Sequence, residues 1–399
     1  MKNITSQTET FTTSGDFELG LGEIDRQSVY YSTRPRDSVT RSDSVNSTLV
    51  VYIPGFGNDA QFYRKVFCKK ISEKYGFHAM TVDYHCLYAR SEDPKDLTFE
   101  TEDEMDIDQI LKKHQIEFQS HEGMLSIFER LNKVLQRKGI KERFTATLNP
   151  QKEEYQNGGI LAAMDIINAI HDWKQKTDLD NPRVILIGSS YGGYLANLVS
   201  KIVPSLITAV IDNSSWAKIN TAYIIGRDLK IPEHTIQPWS HIQIAYYVKS
   251  AWTQQKGLPN SFDGSRFEIR SFTPLQIEQM AKHNSKCFYF FTHAHKDNIA
   301  LTEDKIKMAT DMLNHGMKVH LEVYDETDVD GHYIKNMNHG MDMSMLTLFD
   351  KALTLINQQL EHTTIETWQP TSITYRSEDK CYQFDFADNG VRGKVKAVQ

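Results

Sequence analysis

The amino-acid pattern predicts an α/β chain: a mostly parallel sheet with helices on both faces, interrupted by two insertions and followed by a β-rich appendage. Three observations carry this. Apolar runs of strand length alternate with helix-period stretches from about residue 48 to about residue 360. Residues 49–84 hold strand, helix and strand in succession, as a parallel crossover requires. At 183–193 the run RVILIGSSYGG passes from strand-forming residues through a small-residue turn straight into another helix.

Taken in order, residues 1–47 contain the stretches ETFTTS, DFELGLG and SVYYST, expected as antiparallel strands leading into the sheet. Leu49–Ile53 is a buried-strand run stopped by Pro54-Gly55-Phe56-Gly57; a helix is expected from about Ala60 to Tyr75 and a strand over Phe77–Tyr84. Ile160, Met164, Ile167 and Ile170 repeat at helical spacing, and Asp180-Asn181-Pro182 turns the chain into the strand Val184–Ile187. The helix after Ser190 stops at Pro204, and Leu206–Ile211 is the next strand. Cys287–Phe291 and Val319–Tyr324 are strands around a helix from Thr302 to a Gly316 cap, and a last helix runs from about Met341 to Leu360.

The main domain is thus expected over 48–361, with insertions at 85–155 and 214–285 read as cap or lid. The first begins with the acidic run Glu92–Asp108, read as a solvated loop rather than a cation site. The second is rich in Trp216, Trp239, Tyr246, Tyr247 and Trp252, whose rings suit either packing or a substrate wall. In the appendage, 362–399, Ser372–Tyr375, Cys381–Phe386 and Val391–Val398 read as strands and Asp388-Asn389-Gly390 as a hairpin turn.

Composition narrows the function classes. At 399 residues and 40% hydrophobic the chain can bury a large core. Its net charge of -7, without a dense Lys/Arg stripe, argues against nucleic acid as a partner. The amino terminus is polar and no long apolar run follows, so a cytoplasmic protein without a membrane span is expected. Cys68, Cys86, Cys287 and Cys381 are widely spaced, as befits reduced thiols rather than a disulfide scaffold or zinc ribbon.

The chemistry centres on Gly188-Ser189-Ser190-Tyr191-Gly192. A serine at the third position of such a strand-to-helix turn holds its hydroxyl clear of the sheet, and the helix behind it directs its positive end toward developing negative charge. Serine needs a base to take its proton, an acid to orient the base, and N–H donors for the oxyanion. Asp297, after strand Cys287–Phe291, is the first candidate acid; Asp212, then Asp325, Asp328 or Asp330, are the alternatives. His339 is the preferred base and His332 its rival. The backbone N–H groups of Tyr191 and Phe56, or Gly57 in place of Phe56, are the candidate oxyanion donors.

These elements, in the order PGFG, GSSYG, Asp and His, resemble the α/β-hydrolase superfamily over about residues 48–360. The PGFG loop stands where that superfamily usually carries a His-Gly segment. The strings YIPGFGNDA, VDYHC, ILIGSSYGGYLA, VIDNSS and KNMNHGMDMS are similar to a bacterial hydrolase-like family often encoded near flagellin-glycosylation genes. The resemblance implies a serine esterase or deacylase, or an acyltransferase on the same triad. It also implies a small-molecule or glycan acyl ester as substrate, and no cofactor. Two other classes stay open: a non-catalytic binding module, and a zinc hydrolase using His293, His295 and Asp297, since Thr292–Asn298 resembles a His-x-His-x-Asp-His metal motif that ends in Asn298.

Overall fold

The computed structural model describes residues 4–35, 47–56, 61–89, 97–117, 123–150, 152, 154–179, 181–284, 286–360 and 368–398. In chain order the elements are β1 (Ile4–Ser14), β2 (Asp25–Pro35), β3 (Thr48–Ile53), α1 (Gln61–Tyr75), β4 (His78–Asp83), β5 (Leu97–Thr98), α2 (Thr101–Lys113), α3 (Met124–Lys138), β6 (Glu142–Leu148) and α4 (Ile160–Gln175). They continue with β7 (Arg183–Ser189), α5 (Tyr191–Ile202), β8 (Ala209–Asn213), α6 (Ala222–Leu229), β9 (His234–Trp239), β10 (Ile242–Val248), α7 (Gly264–Ile269), α8 (Pro274–Asn284) and β11 (Phe288–Ala294). The last are α9 (Thr302–Asn314), β12 (Lys318–Tyr324), α10 (Met345–Leu360), β13 (Thr371–Arg376), β14 (Lys380–Ala387) and β15 (Gly390–Ala397).

The chain divides into two compact units. The larger comprises Met1–Leu87, Gly158–Ile219 and Asp263–Gln399, and the smaller Tyr88–Asn157 and Asn220–Phe262.

The larger unit is built on an eight-stranded sheet in the order β1-β2-β4-β3-β7-β8-β11-β12. β2 pairs antiparallel with both β1 and β4, while all pairs from β4 to β12 are parallel. This mostly parallel, helix-covered sheet has the strand order and single antiparallel strand of the α/β-hydrolase fold. Strands buried on both faces must be apolar throughout, which is why β3 (TLVVYI) shows no alternation. One face carries a core of Val50, Phe67, Ile71, Ile185, Ile211, Phe290, Leu348, Phe349 and Ile356 beneath α1 and α10. The other face carries α4 and α5. The order reverses at β3, which lies between β4 and β7, so the carboxyl ends of β3 and β7 bound the crevice where open parallel sheets bind ligands.

Three expectations are corrected in this unit. DFELGLG is not a strand: Phe17–Leu19 is a single 3-10 turn, with Asp16 accepting the Glu18 N–H at 3.0 Å. Residues 263–284 belong to the larger unit rather than to an insertion. Ile277 and Met280 of α8 are fully buried, and the Lys201 ammonium of α5 donates to the carbonyls of Ile269 (2.6 Å) and Ser271 (2.7 Å). α10 starts at Met345, not Met341, because Gly340, Met341 and Asp342 all have positive φ (79°, 57° and 42°), which no right-handed helix accommodates. The carboxyl-terminal strands, expected as a β-rich appendage, form a three-stranded antiparallel sheet, β13-β14-β15. It packs over α4, where the side-chain oxygen of Asn168 accepts the Val391 N–H at 2.7 Å, and this explains why α4 is buried nearly all round.

The smaller unit has a four-stranded sheet, β5-β6-β10-β9, with β6 and β10 parallel. α2 and α3 cover it through Ile107, Leu111, Ile127, Phe128, Leu131, Phe144, Ile244 and Tyr246. Where it is described, the acidic run is therefore the short strand β5 followed by the first half of α2. Glu102, Asp103 and Glu104 occupy the first turn of α2 and Lys112 and Lys113 the last, matching the helix dipole at both ends. Asp103 is buried and accepts from Thr147 Oγ1 (2.6 Å) and Arg227 Nη1 (2.7 Å). Residues 92–96 of that run lie outside the described residues, as do Ala60, Asp180 and residues 361–367. No helix among the described residues is long and apolar enough to cross a membrane.

Candidate active site

Ser190 sits between β7 and α5 with φ 55° and ψ -125°, a conformation that costs a non-glycine residue about 1–3 kcal/mol. Close packing on both sides maintains it. A Cβ added at Gly188 would stand 2.3 Å from the Gly192 carbonyl carbon, and one at Gly192 would stand 2.1 Å from Ile53 O. Only glycine lets the start of α5 approach the ends of β3 and β7 this closely. The Ser190 N–H donates to Asn213 O (2.8 Å), and the Ser190 carbonyl accepts the Tyr194 N–H (3.0 Å) as the first bond of α5. The hydroxyl thus stands at the positive end of a helix, where an anion is favoured.

His339 follows β12 in the loop that precedes α10. Its Nε2 lies 2.7 Å from Ser190 Oγ, and its Nδ1 lies 2.8 Å from Asp297 Oδ2. Asp297, in the loop after β11, is buried, and its Oδ1 accepts the N–H groups of Ile299 and Ala300, each at 2.9 Å. Burial pushes the Asp297 carboxyl up, but the His339 hydrogen bond and the two backbone N–H groups outweigh it and hold the carboxyl below its usual value. An ionised Asp297 has no proton to give, so His339 carries its hydrogen on Nδ1 and presents a free lone pair on Nε2 to the Ser190 hydroxyl.

The alternatives are placed elsewhere. Asp212 is fully buried at the end of β8, bound to Lys305 Nζ (2.8 Å), Ser215 Oγ (2.6 Å) and Asn197 Nδ2 (2.7 Å). Asp325 and Asp328 cap the exposed 3-10 turn Glu326–Asp328, and Asp330 accepts three backbone N–H groups, among them that of His332 at 2.8 Å. His332 is exposed. His293 is buried with Nε2 2.7 Å from Ala300 O, while His295 lies 3.6 Å from Glu326. Burial, reinforced by the nearby Lys305 charge, lowers the His293 pKa and keeps its ring neutral. The two imidazoles of the metal-like segment thus have different commitments, and no group of three or more His, Cys, Asp or Glu among the described residues is arranged to hold an ion.

The loop after β3 lies against the serine turn: a Cβ added at Gly55 would stand 3.9 Å from Ser190 Cβ. The buried Tyr84 hydroxyl donates to Pro54 O (2.8 Å) and reaches Gly55 O (3.2 Å), pinning the loop, and the Phe56 ring meets Tyr191 edge-on at 5.4 Å. Phe56 and Tyr191 are thus in ring contact beside the serine turn; Gly57 lies outside the described residues. The aromatic residues of the expected second insertion serve packing. Trp216 donates to Ile299 O (2.8 Å) and Trp252 to Asn157 O (3.1 Å), both rings being buried. Tyr246 and Trp239 belong to the core of the smaller unit, and Arg227 stacks over buried Tyr247 at 5.0 Å. One residue at the site that carries no signal in the sequence is Asn213, whose amide reaches both Ser189 Oγ (3.1 Å) and Gly340 O (2.9 Å).

Among solved structures, the chain is similar to an acylaminoacyl peptidase in complex with Z-Gly-Gly-Phe-chloromethyl ketone, at 13% identity and a TM-score of 0.47, covering 92% of this chain and 43% of that one. It is similar to the uncomplexed acylaminoacyl peptidase of Pyrococcus horikoshii at 13% identity and a TM-score of 0.46, with the same coverage of 92% and 43%. It is also similar to Est1E of Butyrivibrio proteoclasticus with bound ferulic acid, at 11% identity and a TM-score of 0.43, covering 84% of this chain and 96% of that one. The chain spans 43% of the length of the two peptidases. No curated protein matches it. The family model described as "Protein of unknown function (DUF2920)" matches residues 34–395, and the chain belongs to that family.

Proposed function

We propose that the protein is a serine hydrolase of the carboxylesterase or deacylase type, working through an acyl-enzyme on Ser190. The observation that carries this reading is the unbroken run of hydrogen bonds from Ser190 Oγ to His339 Nε2 (2.7 Å) and from His339 Nδ1 to Asp297 Oδ2 (2.8 Å). His339 takes the Ser190 proton as the oxygen attacks an ester carbonyl, and Asp297 stabilises the imidazolium that results. The N–H groups of Tyr191 and Phe56 receive the oxyanion, supported by the position of one at the first residue of α5 and of the other in the loop pinned by Tyr84. The imidazolium then returns its proton to the leaving alcohol. Water, activated by the same His339, releases the acid and frees Ser190.

As substrate class we propose an acylated sugar or glycan, on the similarity of strings such as YIPGFGNDA and KNMNHGMDMS to hydrolase-like proteins encoded near flagellin-glycosylation genes. The test begins with short-chain aryl esters on the wild type beside Ser190→Ala. Turnover confined to the wild type, with an acyl adduct on Ser190 by mass spectrometry, is expected. Activity that survives in the variant overturns the nucleophile assignment. A panel of acetylated sugars then addresses the substrate, and transfer to an added alcohol in place of acid release marks the acyltransferase reading.

A further inference from the structure

We propose that Asn213 is the positioning residue that holds the His339 loop in register with the nucleophile turn, an inference that rests on the serine hydrolase reading above. β8 runs beside β7 with Ser189 and Asn213 as register partners, so Asn213 sits at the strand end next to the serine turn. Its side chain is buried and makes four hydrogen bonds. Nδ2 donates to Ser189 Oγ (3.1 Å) and to Gly340 O (2.9 Å), while Oδ1 accepts from Ser214 Oγ (3.1 Å) and Thr292 Oγ1 (3.3 Å). That sorts the two ends of the amide by partner type: turning it over would set oxygen against the Gly340 carbonyl. Through its backbone the same residue accepts the Ser190 N–H at 2.8 Å. One residue therefore touches the peptide of the nucleophile, the hydroxyl before it and the carbonyl directly after His339.

The loop it holds needs an external restraint. Gly340, Met341 and Asp342 stand in succession at φ 79°, 57° and 42°, and residues in this region persist only where their surroundings over-determine them. The loop's own bonds, Met341 N to Asn338 O (2.8 Å) and Met343 N to Gly340 O (3.1 Å), shape it without tying it to the sheet. The Asn213–Gly340 bond is a tie to the sheet one residue from the imidazole, beside the burial of Met341 and Met343 in the core and the 3.8 Å contact of Thr292 Oγ1 with Met343 Sδ. Proton transfer between Ser190 and His339 depends on a separation that tolerates little error, since a displacement of about 1 Å can cost on the order of a hundredfold in rate.

The test uses the full-length protein and a fluorophosphonate probe, so no substrate need be known. Ser190 Oγ forms a bond to phosphorus, fluoride leaves with the P–F electron pair, and the serine proton passes to His339. The second-order labelling rate is measured across the range in which an imidazole titrates, for the wild type, Asn213→Ala, Asn213→Asp and Thr292→Val. The last removes the bond to Asn213 Oδ1 (3.3 Å), together with the hydroxyl's longer contacts to Asp212 O (3.5 Å) and Met343 Sδ (3.8 Å), while leaving both Nδ2 bonds in place. Thermal unfolding of each variant reports folding, and the near-isosteric Asn213→Asp keeps the test decisive if Asn213→Ala does not fold.

Labelling about tenfold to a hundredfold slower is expected in both Asn213 variants, with Thr292→Val close to wild type. In Asn213→Asp the acid limb should also move to higher pH, because a carboxylate beside the loop favours the imidazolium. Slower labelling at a melting temperature near wild type separates this from a purely structural role, which would lower both together. Wild-type rates in the Asn213 variants, or losses no greater than in Thr292→Val, overturn the proposal and leave the serine hydrolase reading standing. A wild type that does not label removes both.

Discussion

The Lys305 ammonium lies 2.8 Å from the Asp212 carboxylate, and both side chains are essentially inaccessible to water. Ser215 Oγ and Asn197 Nδ2 complete the shell around the acid, and the ammonium lies 4.8 Å from the centre of the Phe291 ring. A pair this enclosed is more costly to break than to lack, because a remaining partner keeps its charge without compensation. Lys305→Met is therefore expected to lower stability by about 3–5 kcal/mol, and Asp212→Asn together with Lys305→Met to recover a large part of it. Urea unfolding of the wild type, Lys305→Met, Asp212→Asn and the double variant checks this; additive losses in the double variant would contradict it.

Asp297 predicts the opposite behaviour. Its Oδ1 is satisfied by backbone N–H groups and its Oδ2 by His339. In Asp297→Asn the amide can meet His339 only as a donor or as a weaker acceptor, so the imidazole loses the restraint on its tautomer. The expected result is a fall in kcat on the order of a thousandfold or more with thermal stability near wild type. Steady-state kinetics on an aryl ester together with a melting curve decide it. A loss of stability that tracks the loss of activity would place Asp297 in the scaffold instead.

Gly192 offers a packing prediction. With Ile53 O only 2.1 Å from where a Cβ would stand, the methyl of Gly192→Ala has no room unless β3 or α5 moves, and both are buried main chain. Overpacking of this kind costs about 1–3 kcal/mol, and because the shift falls beside Ser190 the fluorophosphonate labelling rate should drop with it. Wild-type melting and labelling of the variant would show that the turn is looser than its geometry indicates.

The parallel sheet and the serine turn were legible because each leaves a local trace: uninterrupted apolar strands buried on both faces, and glycines wherever main chain meets main chain. Chain order admitted Asp212 and His332 as well as the preferred Asp297 and His339, and it is these last two that the structure brings within hydrogen-bonding distance of each other and, through His339, of Ser190. What stayed hidden depends on contacts distant in sequence. Helix α2 reads as a solvated acidic loop until Asp103 is seen buried among Thr145, Thr147 and Arg227. The all-round burial of α4 needs the carboxyl-terminal sheet, some two hundred residues on. Asn213 looks like any polar residue at a strand end, and only the closeness of Ser189 and Gly340 gives its amide a task.

His78 supplies a prediction about acid. Its imidazole is buried at the start of β4, edge-on to Trp173 at a ring separation of 5.4 Å, and neither ring nitrogen has a hydrogen-bond partner among the described residues. Burial, with a smaller contribution from the Arg34 charge, lowers its pKa from 6.5 to about 4. The unfolded chain therefore binds a proton at pH 5 that the folded protein does not, and stability falls as pH drops from 6.5 toward about 4, with no further loss from this group below that. Between pH 7 and pH 5 the loss amounts to about 2 kcal/mol. His78→Phe keeps an aromatic ring against Trp173 and cannot titrate. Urea midpoints at the two pH values should separate more widely for the wild type than for the variant. Equal separations would mean that the acid sensitivity lies in the carboxylates, and that His78 finds a proton acceptor or water when the fold is acidified.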